Sequence, residues 1–331
     1  MKERTLDKAW TSPPSRLRSF VIGCGALLTV ASNAALADQG GVPFWLSGQF
    51  ASLAAVPATP GWSLTATPYY YNGNANAAKS FQIGETVTAG VSTSVSMLLF
   101  QAGYAAESKL LGGQPYIGLG WGPGSNRTSV DVTLSQPARE RTRNDSITGG
   151  TDLYPYASLA WTRGSHNWMT YLTGGIPLGA YQASRLSNLG IGHGAIDAGG
   201  GYTYLDSTTG REFSAVAGVT YNWENTHTNY QNGIDSHIDW AASQVLSENW
   251  QVGIAGYVYY QLTGDSGSGN KVGSFKSRIA AVGPEVGYAF KFNGQAAYFN
   301  LRSYWEFWSQ NRLEGYAIFA TLGIPLGSAS Q

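Results

Sequence analysis

Three polar side chains occupy every second position in a stretch near the C-terminal end of the chain. Arg302, Tyr304 and Glu306 are each separated by one residue in the stretch NLRSYWEFW. A spacing of two places all three on one face of a β-strand. A guanidinium, a phenol and a carboxylate in one row can hold a polar group by hydrogen bonds. The pattern therefore predicts a polar surface on one side of this strand.

Other predicted strands carry polar groups in the same alternation. A charge that faces lipid at mid-depth costs a few kcal/mol, so in a membrane barrel these groups must face the lumen. Two interpretations stay open, a charge network that braces a narrow barrel and a selectivity constriction. The candidate lumen residues are Asp197, Glu212, His237, Asp239, Tyr257, Tyr259, Gln261, Glu285, Asn300, Arg302, Tyr304 and Glu306.

A histidine among carboxylates also raises the hypothesis of a Ser-His-acid hydrolase. Ser236 adjoins His237, but neighbours on a strand point to opposite faces, so this pair cannot couple directly. The chain has no GxSxG, HExxH or phosphate-binding loop motif. We expect no enzyme, no cofactor and no metal site.

The strand that decides the fold class is Gln251 to Thr263, QVGIAGYVYYQLT. Apolar residues alternate with small, polar or tyrosine residues over its whole length, which is the period of a strand. Strands of soluble proteins are usually about 5–6 residues long. A strand that crosses a bilayer needs roughly 9–11 residues. The length therefore favours a transmembrane barrel over a secreted all-β protein.

Composition agrees with a barrel. Only 12% of the 331 residues are charged and 43 are glycine, against averages of about 25% charged and about 7% glycine. Residues 1–37 read as a signal peptide, with a basic start, an apolar core and Ala35-Leu36-Ala37 before Asp38. The single cysteine, Cys24, would leave with it. The remaining chain is slightly acidic, which excludes a nucleic-acid-binding surface.

Twelve strands are predicted within a barrel domain of residues 62–327. Short and long connections alternate between them, as expected for short periplasmic turns and longer extracellular loops. We place Pro137 to Gly150 among the outer loops. The strands are Trp62–Tyr71, Glu85–Ala106, Gly113–Leu134, Asp152–Thr162, Asn167–Ile176, Ala195–Leu205, Glu212–Trp223, His237–Leu246, Gln251–Thr263, Arg278–Phe290, Ala296–Trp308 and Tyr316–Ile324.

Residues 38–61 form a separate apolar segment before the barrel. It is too short and too often broken by glycine and proline to cross a membrane. Two interpretations stay open, a plug folded into the barrel and a segment that covers its rim. The plug candidates are Phe44, Trp45, Leu46 and Phe50.

Several long stretches match a known family. They include GVPFWLSGQFASLAAVPATPGW (residues 41–62), NLGIGHGAIDAGGGYTY (188–204) and FKSRIAAVGPEVGY (275–288). On these residues the chain resembles the meta-pathway phenol degradation proteins, the SphA-like outer-membrane transporters. The resemblance implies an outer-membrane barrel associated with uptake of aromatic or other hydrophobic compounds. It supplies no catalytic residues.

We therefore expect a passive, monomeric channel in the bacterial outer membrane for small hydrophobic or aromatic molecules. Its partners would be outer-membrane lipid, the assembly machinery that inserts barrels, and the substrate. The alternative is a barrel whose lumen is closed by its own side chains and which acts as a structural protein or a lipid-modifying enzyme.

Overall fold

A computed structural model describes residues 42–83, 86–135 and 138–326. The predicted signal peptide lies outside these ranges. No helix in the described ranges is long and apolar enough to cross a membrane. The strands are β1 (Gly61–Ile83), β2 (Thr86–Ala105), β3 (Gln114–Trp121), β4 (Pro123–Ser135), β5 (Ala138–Gly150), β6 (Tyr154–Arg163), β7 (His166–Gly175), β8 (Ala195–Asp206), β9 (Arg211–Asn222), β10 (Asp235–Val245), β11 (Trp250–Gln261), β12 (Arg278–Phe292), β13 (Gln295–Gln310) and β14 (Glu314–Pro325).

These strands form one closed antiparallel barrel. Each strand from β6 to β14 pairs with its neighbour in sequence, and β1 closes the circle by pairing with both β14 and β2. A closed sheet leaves no unpaired edge within the barrel, which is what a strand-built membrane protein requires. The predicted all-β fold class and antiparallel barrel are confirmed.

The fourteen strands occupy twelve positions around the barrel. Both β3 and β4 pair with β2, one with each half of it, so they are two parts of one long strand. They are interrupted at Gly122, where a side chain would collide with the backbone of Leu98. In the same way β6 pairs with β3 and β5 pairs with β4, so β5 and β6 together occupy one position. The predicted count of twelve is confirmed.

The strand β11 shows how the two faces of the barrel wall differ. Val252 and Ile254 are 40% and 51% exposed on the outside. Tyr257 and Tyr259 point inward and are 2% and 5% exposed. The alternation in the sequence is thus the alternation between a lipid-facing and a lumen-facing surface.

The two ends of the barrel have different connections. At one end, which we call the turn end, short turns join β6 to β7, β8 to β9, β10 to β11 and β12 to β13. At the other, the loop end, residues 176–194, 223–234 and 262–277 form long loops. By the usual asymmetry of outer-membrane barrels, the turn end is periplasmic.

The prediction of a loop over Pro137 to Gly150 is wrong. Residues 138–150 form β5, which pairs with β4 along its whole length in a tall hairpin at the loop end. β1 also continues to Ile83, well past its predicted end at Tyr71. The sequence of β5, ARERTRNDSITGG, is rich in charged and polar residues, so the hydrophobic period that marks a half-buried strand is missing there.

Candidate functional site

Residues 42–60, which we call the inner segment, lie inside the barrel. Their backbone N–H groups donate to acidic side chains on the lumen face. Asp239 Oδ1 accepts from Gly48 N at 2.9 Å, and its Oδ2 accepts from Phe50 N at 3.2 Å. Glu285 and Glu212 accept from Ser52 N and Leu53 N at 3.2 and 3.0 Å. Three predicted lumen carboxylates therefore hold the backbone of this segment.

Basic and phenolic groups hold the same segment by its carbonyl oxygens. The Arg302 guanidinium donates from Nε to Gly48 O at 3.0 Å and from Nη2 to Gln49 O at 2.8 Å. Tyr304 OH donates to Gly48 O at 3.1 Å. Gly48 has φ +82°, a conformation that residues with a Cβ adopt at a cost.

Aromatic packing holds the earlier part of the segment. The ring of Trp45 stacks on His237, with 3.5 Å between centroids and 19° between planes. It also stacks on Tyr171 and Phe50, each at 5.8 Å. Among the described residues, Trp45 Nε1 and Ser47 Oγ are buried without a hydrogen-bond partner. Residues 42–47 are thus held mainly by packing, whereas residues 48–55 are held by hydrogen bonds.

Two further groups of predicted lumen residues lie nearer the loop end. Asp197 accepts from Tyr171 OH at 2.7 Å and lies 3.0 Å from His237 Nε2. Glu306 accepts from Tyr257 OH at 2.7 Å and from Tyr71 OH at 2.9 Å. The selectivity role predicted for all these residues stays a prediction.

Sequence reasoning missed several lumen residues. Tyr171 and Asp235 are buried and hydrogen-bonded to predicted members, Asp235 to Tyr259 OH at 2.6 Å. Thr203 and Ser214 accept from the inner-segment N–H groups of Ala55 and Ala54. Tyr171, Thr203 and Ser214 lie on the inward faces of predicted strands, so the alternation would have found them if neutral residues had been weighed equally with charged ones. Asp235 was missed because β10 begins there, two residues before the predicted start at His237.

Two of the cavities that the described residues enclose lie on either side of Trp45 and Leu46, which line both. The outer cavity, of about 800 Å³ including open solvent, lies toward the loop end and is lined by Tyr69, Tyr71 and Tyr257 among others. The inner cavity, of about 1510 Å³ on the same measure, lies between the inner segment and β1–β3, β6, β7, β13 and β14. Both walls are rich in apolar and aromatic side chains.

The loop that joins β7 to β8 folds over the outer cavity. Leu186, Leu189 and Ile191 are completely buried, and Leu186 lines the cavity. Asp152 pins the loop by accepting from the backbone N–H groups of Gly179 at 2.8 Å and of Ile191 at 3.0 Å. Burial also lowers the pKa of His193 at the end of this loop.

The lumen histidine does not form a hydrolase triad within the described residues. His237 directs Nε2 to Asp197, and its Nδ1 has no hydrogen-bond partner there. Ser236 points the other way and donates to Tyr260 O. The described part of the chain also holds no group of three or more His, Cys, Asp or Glu side chains that could bind a metal.

This arrangement, a closed strand barrel with an apolar outer face and polar side chains on its lumen face, defines an outer-membrane β-barrel. Residues 65–322 match the family described as "Putative MetA-pathway of phenol degradation". The chain belongs to this family. No curated protein sequence matches it significantly.

Solved barrel structures resemble this one. An outer membrane channel from Pseudomonas putida F1 superposes with a TM-score of 0.60 at 10% identity, over 80% of this chain and 96% of that one. The CymD monoaromatic hydrocarbon channel gives 0.39 at 8% identity, over 88% and 96%. A FadL homologue from Pseudomonas aeruginosa gives 0.40 at 9% identity, over 89% and 99%. The first of these likenesses supports the barrel fold.

Proposed function

We propose that this protein is an outer-membrane channel for passive uptake of small hydrophobic or aromatic compounds such as phenols. The observation that carries the proposal is the pair of cavities, aromatic in lining and placed one above the other along the barrel axis. A ligand site is typically a concave, mostly apolar space with a few polar groups. Membership of a family linked to phenol degradation supports the same substrate class.

The inner segment acts as the plug of this channel. Trp45 and Leu46 separate the outer from the inner cavity, so a solute passes only when these side chains move. Among the described residues, 42–47 form no hydrogen bond to the barrel wall, whereas 48–55 form many. The movable part is therefore the stretch before Gly48, and the part after it stays anchored.

The remaining features of the proposal follow from the barrel. The chain is exported with its signal peptide, residues 1–37, which is then removed. It is inserted by the outer-membrane assembly machinery, is surrounded by outer-membrane lipid and acts as a monomer. Passage needs no cofactor and no catalytic residue, because diffusion down a gradient supplies the driving force.

The uptake test uses purified protein in liposomes. We expect phenol to enter protein-containing liposomes faster than protein-free ones, and a hydrophilic solute of similar size, such as glycerol, to gain much less. The reason is that an apolar lining favours transfer of apolar surface out of water. Stopped-flow detection of phenol by an encapsulated indicator gives both rates. Equal entry rates with and without protein for every solute would contradict the proposal.

A further inference from the structure

The inner cavity has one charged corner in a lining that is mostly apolar and aromatic. Arg302, Gln49, Thr67 and Thr321 lie together there, with Thr67 Oγ1 3.4 Å from Thr321 Oγ1. Among the described residues that line this cavity, Arg302 alone carries a charge. Its side chain is buried, at 4% exposure. The corner is thus a fixed positive charge at the edge of an apolar space.

Neutral groups alone hydrogen-bond to this guanidinium. Nε and Nη2 donate to the backbone carbonyls of the inner segment, and Nη1 donates to Asn300 Oδ1 at 2.9 Å and to Thr321 Oγ1 at 3.1 Å. The guanidinium also lies 4.5 Å from the ring centre of Phe319. These contacts use four of the five N–H donors of an arginine, which leaves one on Nη2.

No carboxylate oxygen of the described residues lies within 4.0 Å of a guanidinium nitrogen of Arg302. The ion pairs that the described residues form at this distance are Arg185–Asp145 and His237–Asp197. Glu285, which is opposite Arg302 in the strand pairing, is hydrogen-bonded to Asn300 and to Ser52 N instead. Glu285 and Asp239 act on the Arg302 charge only at longer range. A ligand carboxylate in the cavity would contact the guanidinium directly and accept a charge-assisted hydrogen bond from it.

The other side of the cavity is lined by aromatic and apolar side chains, against which a flat aromatic ring can pack. Tyr116, Tyr154 and Tyr156 line it together with Phe44 and Met169. The outer cavity differs, because its lining includes the carboxylate of Glu306 as well as Arg312. The inner cavity is therefore distinguished by an aromatic lining and a positive charge with no carboxylate among its described lining residues.

We propose that the inner cavity is a binding site for aromatic carboxylates, with the carboxylate on Arg302 and the ring against the tyrosine wall. This rests on the proposed function and narrows its substrate class. The site favours acids over neutral rings of the same shape. The outer cavity has no such preference.

Benzoate and nitrobenzene test the site, because the nitro group has the shape of a carboxylate without its net charge. Equilibrium dialysis of the detergent-solubilised full-length protein, with protein-free micelles as the blank, gives both dissociation constants. We expect benzoate to bind at least about tenfold more tightly, the range of a hydrogen bond to a charged group. Arg302→Gln should abolish this preference, and Arg302→Lys should keep part of it.

Because Arg302 also holds the inner segment, the matched control is Tyr304→Phe. It removes another hydrogen bond to Gly48 O but leaves the charge, so it should keep the preference for benzoate. Equal affinities in the wild type, or an unchanged preference in Arg302→Gln, would overturn the assignment. If benzoate has no advantage but nitrobenzene binds and phenol enters liposomes, only this site is wrong. If neither aromatic binds and phenol does not enter liposomes, the channel function itself fails.

Discussion

Deletion of residues 42–60 is expected to raise the ion conductance of the barrel by roughly tenfold or more. The reason is the width of the barrel: eight strands are filled by their own side chains, whereas sixteen strands enclose an open channel. Twelve strands lie between these cases, so we expect the lumen to be closed only while the inner segment is inside it. Planar-bilayer recording of single molecules measures the change directly.

A replacement variant separates loss of the segment from damage to the barrel. Residues 42–60 exchanged for a Gly/Ser sequence of equal length keep the chain length but lose the aromatic stack and the turn at Gly48. This variant should conduct nearly as well as the deletion. Conductance equal to that of the wild type in both variants, with heat-modifiable gel migration intact, would show that the segment does not close the lumen.

The second large effect is expected from Gly48→Val. A Cβ at this position would lie 2.6 Å from Tyr304 Cε2 and 2.9 Å from Tyr257 Cδ1, closer than carbon atoms pack. The left-handed conformation adds a cost of roughly 1–2 kcal/mol for a residue with a Cβ. The segment should therefore leave its site, and we expect a several-fold rise in conductance and in phenol influx.

Gly61→Val is the matched control for backbone strain. Gly61 also has a positive φ, +117°, but nothing lies within 4 Å of the position that a Cβ would take there. We expect this variant to lose some stability and to keep wild-type conductance. If Gly48→Val conducts like Gly61→Val, the contact between Gly48 and the two tyrosines has no role in closing the lumen.

Much of the barrel could be predicted from the sequence, because residues that face lipid and residues that face the lumen alternate along each strand. The alternation from Gln251 to Thr263 separates Ile254, which faces lipid, from Tyr257, which faces the lumen. The interruption at Gly122 is visible as a Gly-Pro-Gly stretch within one long strand. These patterns follow from the fold, because each strand that crosses the bilayer must present one apolar face to the lipid.

The contacts of the inner segment could not be predicted in this way. Asp239, Glu212 and Glu285 were expected in the lumen, but their partners are backbone N–H groups. Every residue except proline has such a donor, so it leaves no trace in the sequence. The strand β5 was missed for a different reason, because its sequence ARERTRNDSITGG has no alternating apolar residues over most of its length.

The most direct test of the central claim, that aromatic compounds occupy the lumen on their way across, is a crystal structure with 4-bromophenol diffused into the crystals. Anomalous scattering locates each bromine independently of the protein. We predict peaks inside the barrel, in the outer cavity beside Tyr71 and in the inner cavity beside Tyr156. Bromine found only on the lipid-facing surface, at ligand concentrations that saturate that surface, would contradict the account.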